Sequence, residues 1–427
     1  MRGIVLFGIL LMNINGFGLA HAYGDPTVSG GSTGLNLYTW ITTNMFFEGT
    51  MRGLFSLLFG VGMFIFLDRL VHRGAGINAA DIFFRRILWM LVFGLIHGYL
   101  LLWTGEILYS YALMGFLVYS FRHLAPKKLF IAAAVLISIG AIWSYADHQS
   151  NKKMLANVAL AEKNKAGGTP LTKEQKEAST RWEKIQEERS PQAIAEYNNS
   201  MRKGYLDLVP FLAPRNLKTD TYWTYRYDPW DVLSMMLIGI ALYKLNILSA
   251  QRSFRLYLGM MFFGYLVGLS VNYYEVKTIL DANFSFMSFS KTNLTYDVGR
   301  VAVSMGHVGT IMVFCKSGVL TLLRRSLAAV GKMALTNYIM QSLICMIVFT
   351  GVGFGLFGKL QRYELLYVVF SIWIFQLIVS PIWLKYFYYG PMEWLWRNLS
   401  YRKLHPMRIR KTETTLSPVF AEVKARV

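Results

Sequence analysis

The sequence predicts an all-α protein, a polytopic transmembrane bundle of about ten helices with a mostly helical extracytoplasmic insertion. Three observations predict it. The chain is 54% hydrophobic and only 16% charged, against about 25% charged residues in an average soluble domain. Apolar stretches approaching the ~20 residues needed to cross a bilayer recur near 3–22, 51–70, 87–103, 107–121, 129–146, 231–248, 254–272, 298–315, 333–355 and 364–384. Lysine and arginine, finally, gather in alternate connections between those stretches.

The basic clusters fix orientation. They fall at Arg69, Arg73, Arg85 and Arg86, then at Arg122, Lys127 and Lys128. They recur at Lys244, Arg252 and Arg255, at Lys316, Arg324, Arg325 and Lys332, and through the tail from Lys385 to Arg426. Positive residues stay inside, so these connections and both termini are expected in the cytoplasm of a bacterium, with the protein multi-pass in its inner membrane. The net charge of +20 then reads as topology plus attraction to anionic lipid. Nucleic acid is excluded as a partner, because the basic residues are divided among many loops. The expected organisation is residues 1–147 with spans one to five, 148–229 as the outer insertion, 230–403 with spans six to ten, and 404–427 as a basic cytoplasmic tail.

The first element has two readings. Arg2, a short apolar run and Ala20-His21-Ala22 have the form of a signal peptide with its cleavage site. Asn13 and Asn15 interrupt that run, and a retained helix gives an even count with both ends inside; retention is the reading adopted. Residues 23–37 are rich in Gly and Ser and read as a flexible outer loop. The stretch from Leu37 to Phe47 reads as an interfacial helix.

Residues 85–115 carry the densest chemistry. Arg85 and Arg86 open the third span, His97 lies inside it, and a Thr104-Gly105 turn brings Glu106 to the mouth of the fourth. Ionisable groups at membrane depth are costly and tend to face a cavity or a partner. A helical rise of 1.5 Å per residue separates His97 from the turn by roughly 9 Å, so direct contact with Glu106 requires a bend or a water.

The insertion opens polar, with Thr172 and Gln175 in capping-box form ahead of a Lys/Glu-rich stretch. It ends on Tyr222, Trp223, Tyr225, Tyr227 and Trp230, with Asp228 and Asp231 beside the last; this is an interface anchor or a recognition rim. In the eighth span Arg300 and His307 are seven apart and share a face. Asn337 and Gln341 are placed to hydrogen-bond neighbouring helices, and Gly94/Gly98 and Gly264/Gly268 to permit close helix contact. Cys315 and Cys345 are the only cysteines, and no two of the seven histidines lie three or four apart. A structural disulfide and a zinc site are therefore not expected, and no metal is. Nucleophile-elbow, Walker and dinucleotide fingerprints are absent.

Several of these motifs carry a resemblance. RGIVLFGILLMN from Arg2, RGLFSLLFGVGM from Arg52 and the Arg85–Gly115 hairpin resemble the YeiB-like family of bacterial membrane proteins. So do MMLIGIALYKL from Met235, GKMALTNYIMQS from Gly331 and GPMEWLWR from Gly390, all in the same order. The family's usual acidic residue before Arg2 is either missing or lies ahead of a mis-assigned start, and Glu106 replaces the usual Asp. That family is distantly similar to transmembrane acyltransferases, including the heparan-type glucosamine acetyltransferases, which share the first and second helices and use a histidine in the outer first loop. His21 is the only histidine in the corresponding loop.

The resemblance implies transfer of an acyl group from cytoplasmic acyl-CoA to an acceptor at the outer face, with no tightly bound cofactor. Such chemistry needs a base to deprotonate the acceptor and donors to stabilise an oxyanion. The candidates for catalysis are His97, Glu106, His21 and His307. The candidates for binding are Asn13, Arg52 and Arg300, with Arg85 and Arg86 meeting the phosphates of coenzyme A. The partners implied are the bilayer, acyl-CoA and the acceptor, and a homo-oligomer is left open. A small-solute transporter or channel is the competing class, since glycine-interrupted spans permit broken helices; a non-enzymatic membrane protein is the third.

Overall fold

A computed structural model of the chain describes residues 1–409 apart from 75 and 77; most of the expected basic tail lies outside the described residues. Regular structure among the described residues is helical, with one isolated bridge between Phe387 and Arg408. In chain order the helices are α1 (Arg2–Gly18), α2 (Gly34–Phe46), α3 (Thr50–His72), α4 (Asn78–Tyr99), α5 (Leu108–Phe121) and α6 (Pro126–Ala166). The insertion holds α7 (Lys173–Glu188), α8 (Pro191–Met201), α9 (Tyr205–Lys218), a π-helical turn (Thr219–Trp223) and the short α10 (Thr224–Tyr227). Then follow α11 (Val232–Lys244), α12 (Phe254–Asp281), α13 (Phe286–Thr292) and α14 (Tyr296–Ser317). The chain closes with α15 (Thr321–Lys332), α16 (Ala334–Phe349), α17 (Leu365–Tyr386) and α18 (Pro391–Tyr401).

Each of the ten expected spans falls on a helix, but their lengths divide them. Five helical stretches are long and apolar enough to cross a bilayer: Gly34–His72, Pro126–Ala166, Phe254–Asp281, Tyr296–Ser317 and Leu365–Tyr386. A sixth forms if α15 and α16, bent by 84° at their junction, count as one. The apolar helices α1, α5 and α11 are shorter; at 1.5 Å per residue α11 reaches only about 20 Å, against a hydrocarbon core of about 30 Å. Burial explains how α11 persists. Every residue from Val232 to Leu242 is buried, so it meets protein all round, as a helix apolar on every face should.

Missing side chains set the closest contacts. A Cβ on Gly239 of α11 would run into the Leu57 carbonyl of α3, and one on Gly60 would meet the backbone of Met236. Gly264 and Gly268 of α12 lie against the backbone of α14 at Ala302, Val303 and Gly306, which is the close packing that their spacing predicts. Between α16 and α17 polar groups do the joining. Asn337 Nδ2 donates to Ser380 Oγ (3.1 Å), Gln341 Nε2 to Gln376 Oε1 (3.0 Å), and Gln376 Nε2 to the Asn337 carbonyl (3.0 Å).

The insertion grows out of α6, which continues without a break from its apolar N-terminal half to Ala166. Thr172 and Gln175 form the expected capping box at the start of α7. Met154 and Val158 of α6 then pack with Ala178 and Trp182 of α7. Further on, Leu208 and Leu212 of α9 join a core shared with Phe17, Trp103 and Phe357. Arg362, buried in the α16–α17 connection, donates to Asn15 Oδ1 (3.2 Å) and the Ser29 carbonyl (3.1 Å). These contacts gather the ends of α1, α4, α16 and α17 under the insertion. The basic connections meet at the opposite end, where Arg85 bonds the Ser400 carbonyl and Lys244 the carbonyls of Arg122 and Leu124.

Gly239→Val should separate α3 from α11 and lower the stability of the protein in detergent by about 3 kcal/mol or more. Gly259→Ala has no atom within 4 Å of the added carbon and should be neutral or mildly stabilising. Thermal unfolding of the two variants side by side measures the difference.

Candidate functional site

A cavity of about 680 Å³ opens beneath the insertion, walled by α1, α3, α5, α6, the π-helical turn, α10 and the start of α14. Its chemistry is set by a buried ion cluster. Arg300, 1% exposed, pairs with Asp231 and with Asp297 (2.9 Å). Asp231 is shared with Arg52, so one carboxylate holds two guanidinium groups. The second of them is different: the Arg52 side chain keeps 40% of its surface accessible although it stands deep in the protein. That surface faces the cavity, whose wall it forms.

Most carboxylates of this wall have partners. Asp147 pairs with Arg226 (2.7 Å), Asp231 and Asp297 with the two buried arginines. Glu48 and Asp228 line the same cavity without an ion pair. Burial pushes the Asp228 carboxyl above its ordinary range, opposed by the charge of Arg52 and a hydrogen bond with Thr224. Trp223, Tyr227 and Trp230 share the wall, so the aromatic end of the insertion borders a cavity besides marking an interface.

The α4–α5 hairpin overturns the expected separation of His97 and Glu106. His97 Nδ1 lies 3.3 Å from Glu106 Oε1, and Nε2 lies 2.8 Å from Ser342 Oγ of α16. The chain leaves the helical path after Tyr99, with Leu102 at φ 56°, and folds back instead of climbing. The Glu106 carboxylate thereby returns to Gly94, where a Cβ would stand 2.9 Å from Oε2; glycine supplies the room. Glu106 also accepts the backbone N–H of Leu108 and of Tyr109 (2.8 Å), closing the first turn of α5. It therefore caps a helix and orients a histidine at once.

Position sorts the remaining candidates. Asn13, Arg52 and Glu106 stand on the cavity wall, with Arg300 directly behind it. His97 is fully buried behind Glu106 and is not among the wall residues. His21 lies elsewhere, 6.3 Å from the Tyr197 ring. His307 joins Tyr265 Oη (2.8 Å) to the Phe46 carbonyl (2.7 Å), tying α14 to α12 and α2; although it shares a helix with Arg300, the fold does not bring the two to one site. Arg85 is held by Asp81 (2.9 Å) and the Ser400 carbonyl (2.8 Å), and Arg86 stacks on Trp396, both away from the cavity at the basic end. Residues that sequence reasoning did not single out include Ser342, Tyr111, Tyr296 and Arg362. Ser342 and Tyr111 fall inside stretches that carry the resemblance, but a serine or tyrosine in a span has many uses and nothing in the spacing marks either.

The relatives found by sequence span almost the whole chain. YeiB of Escherichia coli (strain K12), described as an uncharacterized protein, is 30% identical over 423 residues, covering 95% of this chain and 96% of its own. The chain belongs to the YeiB-like family. The family described as protein of unknown function DUF418 matches residues 242–403. The uncharacterized protein YxaH of Bacillus subtilis (strain 168) is 28% identical over 95% of this chain and 94% of its own length. No solved structure matches the chain. Because the relatives span almost all of the chain, the segments that wall the cavity, from Ile9 to Asp297, and the insertion fall inside the region of similarity.

Arg300→Ala should leave Asp297 unpaired and Asp231 dependent on Arg52 alone. Removing one partner of a buried ion cluster costs about 3–5 kcal/mol, so thermal unfolding in detergent should show a loss of that order. A loss much smaller than this would mean that water already solvates the cluster.

Proposed function

We propose that this YeiB-like protein is an acyltransferase-like enzyme of the bacterial inner membrane, multi-pass with both termini in the cytoplasm, acting on a polar acceptor held in the cavity at the outer face. The observation that carries the reading is the combination on one wall of an accessible guanidinium, Arg52, with two carboxylates that have no ion pair, Glu48 and Asp228. Collection of the basic connections at the end opposite the insertion supports the orientation. The aromatic rings of Trp223, Tyr227 and Trp230 suit the flat faces of a hydroxylated acceptor.

The chemistry follows from these groups. Glu48 or Asp228 takes the proton of the acceptor hydroxyl or amine, whose oxygen or nitrogen attacks the thioester carbonyl of acyl-CoA. An Arg52 N–H donates to the oxyanion that forms. Collapse of the adduct expels the thiolate, which takes the proton back from the carboxylic acid. Glu106 and His97 are positioning residues in this scheme, fixing the wall at the start of α5 through Ser342. The donor enters from the basic end, where Arg86 is the free arginine of the expected pair. From Arg86 to His97 the helix rises about 16 Å at 1.5 Å per residue, a separation that the extended thiol arm of coenzyme A must span. One observation favours solute transport instead: the 84° break between α15 and α16 resembles the broken helices of transporters.

The purified protein in liposomes, given acyl-CoA and a panel of hydroxylated and aminated acceptors, should release free thiol only when acceptor is present. Glu48→Gln combined with Asp228→Asn should reduce the rate by about 100-fold or more, as loss of a general base does. Solute flux without thiol release would replace this reading by the transport one.

The raised Asp228 carboxyl also has a sign for stability. Below the unfolded value of about 3.9 both states are protonated; the stability present there is lost as pH rises through the higher folded value. Asp228→Asn should consequently stabilise the protein at neutral pH and make little difference below about pH 4. Unfolding midpoints at the two pH values test it, and equal shifts at both would remove the carboxyl as the cause.

A further inference from the structure

The basic end holds a second cluster that the outer cavity does not use. Arg86 of α4 lies with its guanidinium 3.5 Å from the ring centre of Trp396 and 4.7 Å from that of Phe66. One residue on, Arg397 sits 5.2 Å from Tyr389 and 5.1 Å from Tyr401. The aromatic groups are themselves linked: Trp396 Nε1 donates to the Arg86 carbonyl (2.8 Å), and Tyr401 meets Phe66 edge-on at 6.2 Å. Arg2 enters the same region from α1. Gly62 of α3 makes room for it, since a Cβ there would collide with the Arg2 guanidinium. The charges of Arg2 and Arg397 both oppose that of Arg86.

Three cations have thus been brought together with one carboxylate, Glu393, in range among the described residues. That carboxylate is already spent. Glu393 accepts the Leu335 N–H (2.7 Å), the Thr336 N–H (3.1 Å) and the Thr336 hydroxyl (2.6 Å), closing the start of α16 at the 84° bend. The Nε atoms of Arg86 and Arg397 are buried without a hydrogen-bond partner. Arg2 itself remains exposed. Like charges repel, and buried N–H groups left unmade are costly; both terms are relieved by an anion with several acceptor oxygens. Stacking on Trp396 holds the Arg86 guanidinium flat, in the fork geometry that phosphate oxygens match.

We propose that Arg2, Arg86 and Arg397 form a binding site for a phosphate-ester anion at the cytoplasmic end of the bundle. The anion is carried either by a soluble phosphorylated compound or by a lipid headgroup. The site follows from its own geometry, and as a place for coenzyme A it rests on the donor entry proposed above.

The test uses the full chain in neutral detergent, titrated with coenzyme A by calorimetry, and the same chain in nanodiscs of phosphatidylcholine with and without phosphatidylglycerol. Saturable binding of coenzyme A, weakened about tenfold or more by Arg86→Gln with Arg397→Gln as charged hydrogen bonds are lost, supports the site with a soluble ligand. A higher unfolding midpoint only in phosphatidylglycerol, abolished in the same variant, supports it with a lipid headgroup. Arg397→Lys keeps the charge and loses the planar fork, and it should weaken whichever ligand binds even if the double variant fails to fold. If neither ligand is bound, or if binding survives the arginine substitutions unchanged, the site is overturned. Coenzyme A binding by protein that transfers no acyl group would leave the site standing and remove the reaction proposed for the cavity.

Discussion

The sharing of Asp231 between Arg300 and Arg52 is the constraint on which the half of the molecule beneath the insertion depends. Asp231 stands at the start of α11, Arg52 on α3 and Arg300 on α14, so one carboxylate fixes three helices. Two guanidinium groups and one aspartate would leave an excess charge in a low-dielectric interior; Asp297 takes up the remainder on Arg300. Arg52 is the member with surface open to the cavity, where the carboxylates of Asp228 and Glu48 also act on its charge. The structural and the chemical roles therefore separate along the cluster. The buried end locks helices together, and the open end presents charge to whatever enters.

Apolar packing places that cluster. α11 is too short to cross a membrane, yet its glycine at 239 and the glycine at 60 on α3 let the two backbones approach without side chains between them. That closeness brings Asp231, at the outer end of α11, within reach of Arg52, near the start of α3. A short helix enclosed by protein is thus what permits charged groups to meet at this depth. An independent bilayer-crossing helix would carry its ends to the two aqueous faces.

Much of this was legible in the residues themselves, wherever the signal is local. Apolar runs locate the helices, Thr172 and Gln175 start α7 as their spacing predicts, and Gly264 and Gly268 pack as a spaced pair should. Legibility fails where the chain departs from its local rule. The rise along α4 argues that His97 and Glu106 are separated, because it assumes that the path continues; the reversal at Leu102 and the room above Gly94 undo it. Apolar runs leave the number of crossings open for a related reason: α11 is short and wholly buried, and burial in protein and burial in lipid call for the same side chains. Seven-residue spacing placed Arg300 and His307 together, yet the first serves the ion cluster and the second a contact with α2 and α12. A cavity assembled from elements as far apart in the chain as α1 and α14 has no sequence signature at all, and Arg362, reaching from one connection to α1 and to the loop that follows it, looks like any loop arginine.

The α4–α5 hairpin joins the two ends of the molecule. Its inner turn holds Arg86 against Trp396, and its outer mouth places Glu106 on the cavity wall, with His97 between that carboxylate and Ser342. The inner contacts are aromatic and cationic, and the outer ones are hydrogen bonds to backbone and histidine. A change at either end is felt by a different neighbour: α18 inside, α16 outside. α16 in turn starts at Glu393, which belongs to α18. Hairpin, α16 and α18 therefore form a closed circuit of contacts running from the arginine cluster to the cavity wall. If an anion bound among the arginines repositions Trp396, that circuit is the shortest physical route by which the Glu106 wall would respond.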